Sequence, residues 1–188
     1  MKSRIFVLTG PSGSGKTTTC RRWIALAQQR GLDCAGILCP ARFEDKRKTG
    51  IDLLDVRTGE RCPLAHVDDQ PADLRIGPFR FDTQAMSRAK AILDAACPCD
   101  VLIVDEIGPL ELERGQGWVN GLEVLRAGRF RVAVAVVRPR LVEAFCTAVG
   151  ELPLGVLTMP GVLAGKALSV PPGIEVVTIA DHDRPPVF

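Results

Sequence analysis

The feature that most constrains the fold of this chain is a glycine-rich segment, residues 10–17, which reads GPSGSGKT. The apolar run at residues 5–8 precedes it and predicts a strand that is buried on both faces. Residues 16–30 follow it, and their apolar positions recur at the spacing of an amphipathic helix. A strand, this segment and a helix in that order match the pattern G-x-x-x-x-G-K-[ST] of a phosphate-binding loop.

The spacing of this loop follows from the chemistry of a polyanion. Several backbone N–H groups must point inward around the phosphates, and small residues let the loop close that tightly. The helix that starts near Lys16 adds unpaired N–H groups and the positive end of its dipole. The Lys16 ammonium is expected to reach the β- and γ-phosphates, and the Thr17 hydroxyl is expected to bind Mg²⁺. The predicted nucleotide-binding residues are Gly10, Pro11, Ser12, Gly13, Ser14, Gly15, Lys16, Thr17 and Thr18.

A second apolar run, residues 101–104, ends in the acidic pair Asp105-Glu106. The carboxyl end of this strand is expected at the same sheet edge as the phosphate-binding loop, where ligands bind in open α/β sheets. We predict that Asp105 holds Mg²⁺ through a water molecule, while Thr17 binds the same ion. Because neighbouring residues of a strand alternate in direction, we predict that Glu106 is the base or the residue that orients the attacking water.

Cationic side chains near the same edge are further candidates. Arg138 follows the apolar strand predicted at 131–137, and we consider it a catalytic residue at the γ-phosphate beside Lys16 and Glu106. The alternative for Arg138 is a surface arginine before a proline. The basic stretch 46–48, with Arg42 nearby, is interpreted as a solvated turn, and closure over the phosphates stays open.

Two acids and two histidines near these motifs have weaker patterns. Glu111 and Glu113 follow Gly108-Pro109 and are candidates for ordering the loop after the acidic pair. His66 and His182 are assigned no role.

The rest of the chain predicts an α/β fold. A strand at 34–39 completes a βαβ unit, which implies a parallel sheet. Residues 40–65 are interpreted as an antiparallel insertion, and residues 66–82, rich in Pro, Asp and Gly, as a long connection. We therefore predict a P-loop NTPase fold, a three-layer α/β/α sandwich with a mostly parallel central sheet and a small antiparallel hairpin insertion. Further helices are predicted at 83–96, 117–126 and 141–149, and a last strand at 174–179.

Length and composition exclude several classes. The 188 residues fit one domain, 1–188. The chain is 46% hydrophobic and 24% charged, with a net charge of +2, so no strong field favours nucleic acid or an anionic membrane. The apolar runs are far shorter than the roughly 20 residues that span a bilayer, and the N-terminal one is too short for a secretory signal. We expect a cytoplasmic protein.

The cysteine pattern supports the same compartment. Cys97-Pro98-Cys99 is the one close pair, and its single intervening residue differs from the CxxC spacing of zinc and redox sites. An odd number of scattered cysteines is not a disulfide framework, so we expect reduced thiols. The seven cysteines lie at positions 20, 34, 39, 62, 97, 99 and 146.

Three segments resemble the THEP-type nucleoside-triphosphatases, which are small single-domain P-loop proteins. They are GPSGSGKTT at 10–18, GIDLLDVRTGE at 50–60 and VDEIGPLEL at 104–112, and the last is the most specific to that family. The resemblance runs over most of the chain, from residue 4 to residue 150. One segment, CPARFE at 39–44, departs from the Gly-Phe-Tyr-Thr-like stretch that many members have there.

This resemblance implies Mg²⁺-dependent hydrolysis of ATP, GTP and other nucleoside triphosphates to the diphosphate and phosphate. It carries residues 10–17 over as the nucleotide site, and Asp105 and Glu106 as the metal and catalytic acids. The partners expected are nucleoside triphosphates, with no membrane, no nucleic acid and a monomeric chain; a protein partner is not identified.

Two other functions stay open at the level of sequence. A small-molecule kinase would need a lid that excludes water, and residues 66–82 would then hold its acceptor site. The tandem Asp-Glu and the lack of an arginine-rich lid favour hydrolysis over transfer. A slow nucleotide-dependent switch would instead use the hairpin 42–48 and the 66–82 connection as its moving parts.

Overall fold

The computed structural model describes residues 3–68, 74–150, 152–159, 168 and 170–179. The strands are Arg4–Thr9 (β1), Cys34–Leu38 (β2), Ala41–Glu44 (β3), Arg47–Asp55 (β4), Arg61–Val67 (β5), Arg75–Ile76 (β6), Phe79–Phe81 (β7), Cys99–Ile107 (β8), Phe130–Val137 (β9), Leu154–Thr158 (β10) and Glu175–Thr178 (β11). The helices are Lys16–Gln29 (α1), Thr83–Asp94 (α2), Pro109–Leu112 (α3), Asn120–Ala127 (α4) and Val142–Val149 (α5), and a 3₁₀ turn at Pro139–Leu141 precedes α5. In this described part of the chain, each helix lacks the length and apolarity that a bilayer crossing requires.

The centre of the sheet is parallel. Its strand order is β11-β10-β1-β9-β8-β2, and each neighbouring pair in this row runs in the same direction. The carboxyl ends of β1, β2 and β8 therefore meet at one edge of the sheet. This arrangement confirms the predicted P-loop type of α/β fold.

Helices cover both faces of the parallel strands. In β8, Leu102 and Val104 pack into the cluster that includes α2, α4 and α5, whereas Val101 and Ile103 pack into the cluster of α1. Alternate residues of one strand are thus buried in opposite layers, which is why these strands are apolar throughout. The three-layer sandwich is confirmed.

The antiparallel insertion is confirmed and is larger than predicted. Strands β3, β4 and β5 pair antiparallel, and β4 joins them to β2. The prediction that 66–82 forms a long connection is wrong, because β5 continues to Val67 and pairs with β7, which pairs with β6. The Gly and Pro in this region form a turn between two short strands instead of a loop. Residues 69–73 of the segment, like His182, lie outside the described residues.

Two strands differ from the sequence prediction, since β10 was not predicted and β8 is longer than predicted. Strand β10 pairs parallel with β1, although its sequence LGVLT is short and begins after a proline. Strand β8 was predicted to end at Val104 and instead runs on through the acidic pair to Ile107. The predicted last strand at 174–179 is confirmed as β11.

A close approach between β2 and β8 depends on Gly36. Its φ is +106°, and a Cβ there would lie 2.0 Å from the carbonyl oxygen of Ile103. We expect Gly36→Ala to lower the free energy of unfolding by about 3 kcal/mol or more, since the left-handed backbone alone costs about 1–2 kcal/mol and the backbone clash adds to it. Urea denaturation measures this loss.

The matched control is Gly59→Ala. Gly59 has φ +77°, but nothing lies within 4 Å of a Cβ built there. We expect this variant to lose only the backbone cost of about 1–2 kcal/mol. Equal losses in the two variants would contradict the steric explanation.

Candidate active site

The phosphate-binding loop lies between β1 and α1. Gly13 and Gly15 have φ of +78° and +88°, values that side chains with a Cβ rarely adopt, so this backbone path requires glycine. The Lys16 Nζ donates hydrogen bonds to the carbonyl oxygens of Gly10 at 2.9 Å and Pro11 at 2.7 Å. The ammonium is thereby held against the loop.

Burial lowers the pKa of the Lys16 ammonium, while the nearby carboxylates of Glu106 and Asp105 act in the opposite direction. The loop and the acidic pair therefore already interact electrostatically. The phosphate-binding loop and the acidic pair thus form one site, although Thr17 and Asp105 are 88 positions apart along the chain.

Asp105 lies at the centre of this site and is fully buried. Its Oδ2 accepts hydrogen bonds from the Thr17 hydroxyl and the Cys39 amide, each at 3.0 Å, and its Oδ1 accepts one from the Glu106 amide at 2.8 Å. Burial, followed by the charge of Glu106, raises the pKa of Asp105 to about 6.

The Thr17 hydroxyl and the Asp105 carboxylate fit a divalent cation. Both are hard oxygen ligands, the kind that Mg²⁺ prefers. A positive charge beside Asp105 would also offset the burial that raises its pKa.

Glu106 adopts an unusual backbone conformation. Its φ is +59°, and the pairing of β8 with β9 shifts register between Val104 and Ile107. A residue other than glycine in this region is strained by about 1–2 kcal/mol, and such strain clusters at functional sites. At this strained position the side chain of Glu106 is partly exposed, whereas that of the neighbouring Asp105 is buried.

The structure brings Arg138 to Glu106. The distance from its Nη2 to the Glu106 Oε2 is 4.0 Å, and both side chains are partly exposed. Arg138 follows β9, so its position at the carboxyl edge agrees with the sequence interpretation.

The basic side chains of the insertion, Arg42 and those of the stretch 46–48, lie in different environments. Arg42 contacts Asp52 at 3.5 Å and the Nδ1 of His66 at 2.9 Å, which gives the histidine a contact that the sequence did not predict. Lys46 is exposed at the β3–β4 turn, as interpreted, whereas the Lys48 Nζ lies 4.7 Å from the centre of the Phe79 ring.

Glu111 orders the segment after the acidic pair, and Glu113 does not. The Oε2 of Glu111 accepts a hydrogen bond from the Gly108 amide at 2.9 Å, and its Oε1 accepts one from the Trp118 amide at 3.2 Å. The buried carboxylate thus ties together the two ends of this segment. Glu113 instead pairs with Arg140 at 2.8 Å near the surface.

A cavity of about 1100 Å³ extends from the phosphate-binding loop to the insertion. Glu106 and Arg138 line it between the two. We call its insertion side the apolar wall, which consists of Phe43, Ile51, Leu64, Ile76, Phe79 and Phe81. Sequence reasoning missed this wall because three of its residues lie in the segment interpreted as a loop.

The loop between β1 and α1, at the carboxyl edge of a parallel sheet covered by helices on both faces, defines the P-loop NTPase class. The family model described as NTPase matches residues 5–151. Nucleoside-triphosphatase THEP1 of Ignicoccus hospitalis is 36% identical over 133 residues, which cover 71% of this chain and 75% of that protein. The THEP1 protein of Methanopyrus kandleri is 35% identical over 108 residues, which cover 57% and 59%. The chain belongs to this THEP-type nucleoside-triphosphatase family.

Two solved structures share the fold. A solution structure of a human cancer-related nucleoside triphosphatase has a TM-score of 0.62 and 23% identity, covering 84% of this chain and 89% of its own. The crystal structure of THEP1 from Aquifex aeolicus has a TM-score of 0.58 and 17% identity, covering 95% and 90%.

The buried carboxyl group of Glu111 predicts a pH dependence of stability. Burial raises its pKa from 4.5 to about 6, so between these values the folded chain holds a proton that the unfolded chain has released. The free energy of unfolding therefore falls as the pH rises through this window, by about 2 kcal/mol for this group. The amide of Glu111→Gln does not titrate, so the variant should lack this part of the slope.

Urea denaturation of both proteins between pH 4 and pH 7 measures the difference. Asp105 titrates in the same direction in both, so the comparison isolates Glu111. Parallel pH profiles for the two proteins would contradict the assignment.

Proposed function

We propose that this chain hydrolyses nucleoside triphosphates, ATP and GTP among them, to the diphosphate and phosphate in a Mg²⁺-dependent reaction at the cavity described above. The observation that carries the proposal is the 3.0 Å hydrogen bond between the Thr17 hydroxyl and Asp105, which joins the phosphate-binding loop to the acidic pair. The names of the two THEP1 relatives support the same activity.

The phosphate-binding loop would bind the triphosphate through its backbone amides and the amino end of α1. Lys16 would exchange the carbonyl oxygens of Gly10 and Pro11 for phosphate oxygens. Since these two bonds hold the ammonium in place beforehand, little side-chain entropy is lost when the phosphates bind.

Thr17 and Asp105 are the residues proposed to hold Mg²⁺. When bound, Mg²⁺ neutralises charge on the β- and γ-phosphates. Asp105 is fixed for this role by its bonds from the Cys39 and Glu106 amides, which orient the carboxylate independently of the cation.

Glu106 is the proposed base. Water attacks the γ-phosphorus in line, a new P–O bond forms, and the bond from the γ-phosphorus to the bridging oxygen breaks, so that the diphosphate leaves. The Glu106 carboxylate orients this water and accepts its proton. Arg138, 4.0 Å from Glu106, would contact the γ-phosphate and stabilise the charge that develops there.

The apolar wall favours a second candidate, transfer of the γ-phosphoryl group to a small-molecule acceptor. Phe43 is 62% exposed yet lines the cavity, and exposed aromatic rings of this kind bind flat organic ligands. An acceptor seated there would face the same phosphate-binding loop. Hydrolysis requires no acceptor other than water.

Phosphate release over a panel of nucleotides distinguishes the two reactions. We expect release from ATP and GTP with Mg²⁺ alone, and its loss when the cation is chelated. Activity that requires an added hydroxyl acceptor would replace hydrolysis with transfer, and activity that persists under chelation would remove the proposed role of Thr17 and Asp105.

Two substitutions test the proposed residues. Lys16→Ala should weaken both triphosphate binding and turnover, because it removes a charge from the phosphates. Glu106→Gln should retain binding and lose about 10²-fold or more in turnover, as expected for a positioned base. Calorimetry measures binding and phosphate release measures turnover.

Lys90→Ala, which removes an exposed lysine on α2, is the matched control and should behave as the unaltered protein. Normal hydrolysis by Glu106→Gln would show that another group activates the water.

A further inference from the structure

A pair of thiols lies at the start of β8, far along the strand from its acidic pair. Cys97 and Cys99 flank Pro98 in the connection from α2, and their Sγ atoms are 3.9 Å apart. Both residues are partly accessible to solvent. The proposed hydrolysis uses neither of them.

The other cysteines lack this combination of proximity and access. Four of them, Cys20, Cys34, Cys39 and Cys146, are buried. Cys62, on β5, is also partly accessible and is the natural comparison for the pair. Access without a neighbouring thiol permits modification by a reagent, whereas two thiols in contact permit an internal bond.

Arg57 fixes the segment that carries the two thiols. From the β4–β5 turn, its guanidinium donates hydrogen bonds to the carbonyl oxygens of Ala95 at 2.9 Å and Ala96 at 2.8 Å. It also pairs with Asp33 at 2.8 Å. The backbone around the thiols is therefore held from outside, and the two sulfur atoms remain near each other.

The surroundings of the two thiols shift their pKa values in opposite directions. The hydrogen-bond contact with Cys99 is the largest cause that lowers the pKa of Cys97 to about 7, and the positive charges of Arg129 and Arg57 act in the same direction. The same hydrogen bond and burial raise the pKa of Cys99. Cys97 is therefore the nucleophile, because the thiolate is the reactive form.

We propose that Cys97 and Cys99 form a redox-active dithiol, which a low-molecular-weight disulfide oxidises to an intramolecular disulfide. The Cys97 thiolate attacks one sulfur of the small disulfide, and a mixed disulfide forms as one small thiolate leaves. The Cys99 thiol then loses its proton to solvent and attacks the Cys97 sulfur, and the second small thiolate leaves. The protein loses two electrons and two protons, and the small disulfide is reduced to two thiols.

The internal step should outcompete a lasting mixed disulfide. Cys99 is already in contact with Cys97, and a neighbouring group held in place reacts as if at very high concentration. The sulfur atoms must approach from 3.9 Å to the bond length of about 2.05 Å, so the bond requires a rearrangement of the two side chains.

The experiment treats the folded chain with oxidised glutathione and measures the intact mass. We expect a product that has lost two hydrogen atoms and carries no glutathione, with the new bond mapped to Cys97 and Cys99. Reduced glutathione in excess should restore the starting mass. A stable glutathione adduct on Cys97, a bond to any other cysteine, or no reaction under native conditions would each overturn the proposal.

Two variants define the roles of the thiols. Cys99→Ser should stop at the mixed disulfide on Cys97, and Cys97→Ser should react at least about 10-fold more slowly, since it lacks the more acidic thiol. Cys62→Ser is the matched control and should form the internal bond at the rate of the unaltered protein. These experiments measure masses and rates of thiol reactions, so their outcome does not depend on whether the protein hydrolyses nucleotides.

Discussion

The hydrogen bond between the Thr17 hydroxyl and Asp105 is the interaction on which the site depends. It connects the first turn of α1 to the end of β8, although β9 lies between β8 and β1 in the sheet. A buried carboxylate is costly unless its oxygens are satisfied, and here a hydroxyl and two backbone amides donate to it. These three donors meet at Asp105 because the parallel strands end at one edge of the sheet. The chemistry of the site therefore depends on the parallel direction of the strands.

The sequence predicted this central part because its signals are local. Strands buried on both faces are continuous apolar runs, as at 101–104 and 131–137, and the glycine-rich loop has a fixed spacing. The acidic pair could be placed at the sheet edge for the same reason. The left-handed backbone of Glu106 could not be predicted, since no residue type marks it and it depends on the shifted pairing between β8 and β9.

Elements defined by tertiary pairing were missed. Strand β10 is five residues long, and its own sequence does not distinguish a strand from a loop. It is a strand because it pairs with β1. Similarly, β7 pairs with β5 and β6 pairs with β7, whereas the Gly and Pro between β6 and β7 indicated a loop when taken alone. The apolar wall depends on these distant contacts, so only the composition of its segments was visible in the sequence.

The way the insertion joins the sheet has a consequence for ligand choice. Strand β4 pairs with β2 at only two positions, Ile37 with Asp55 and Leu38 with Leu54, whereas it pairs with β5 at five. The insertion has more strand pairing within itself than with the parallel strands, so a change of twist between β4 and β2 would move Phe43 and Phe79 together. In the proposed reaction, the phosphate-binding loop would then hold the phosphates while the space beside the apolar wall adjusts, so that one phosphate site could accept ligands of different size.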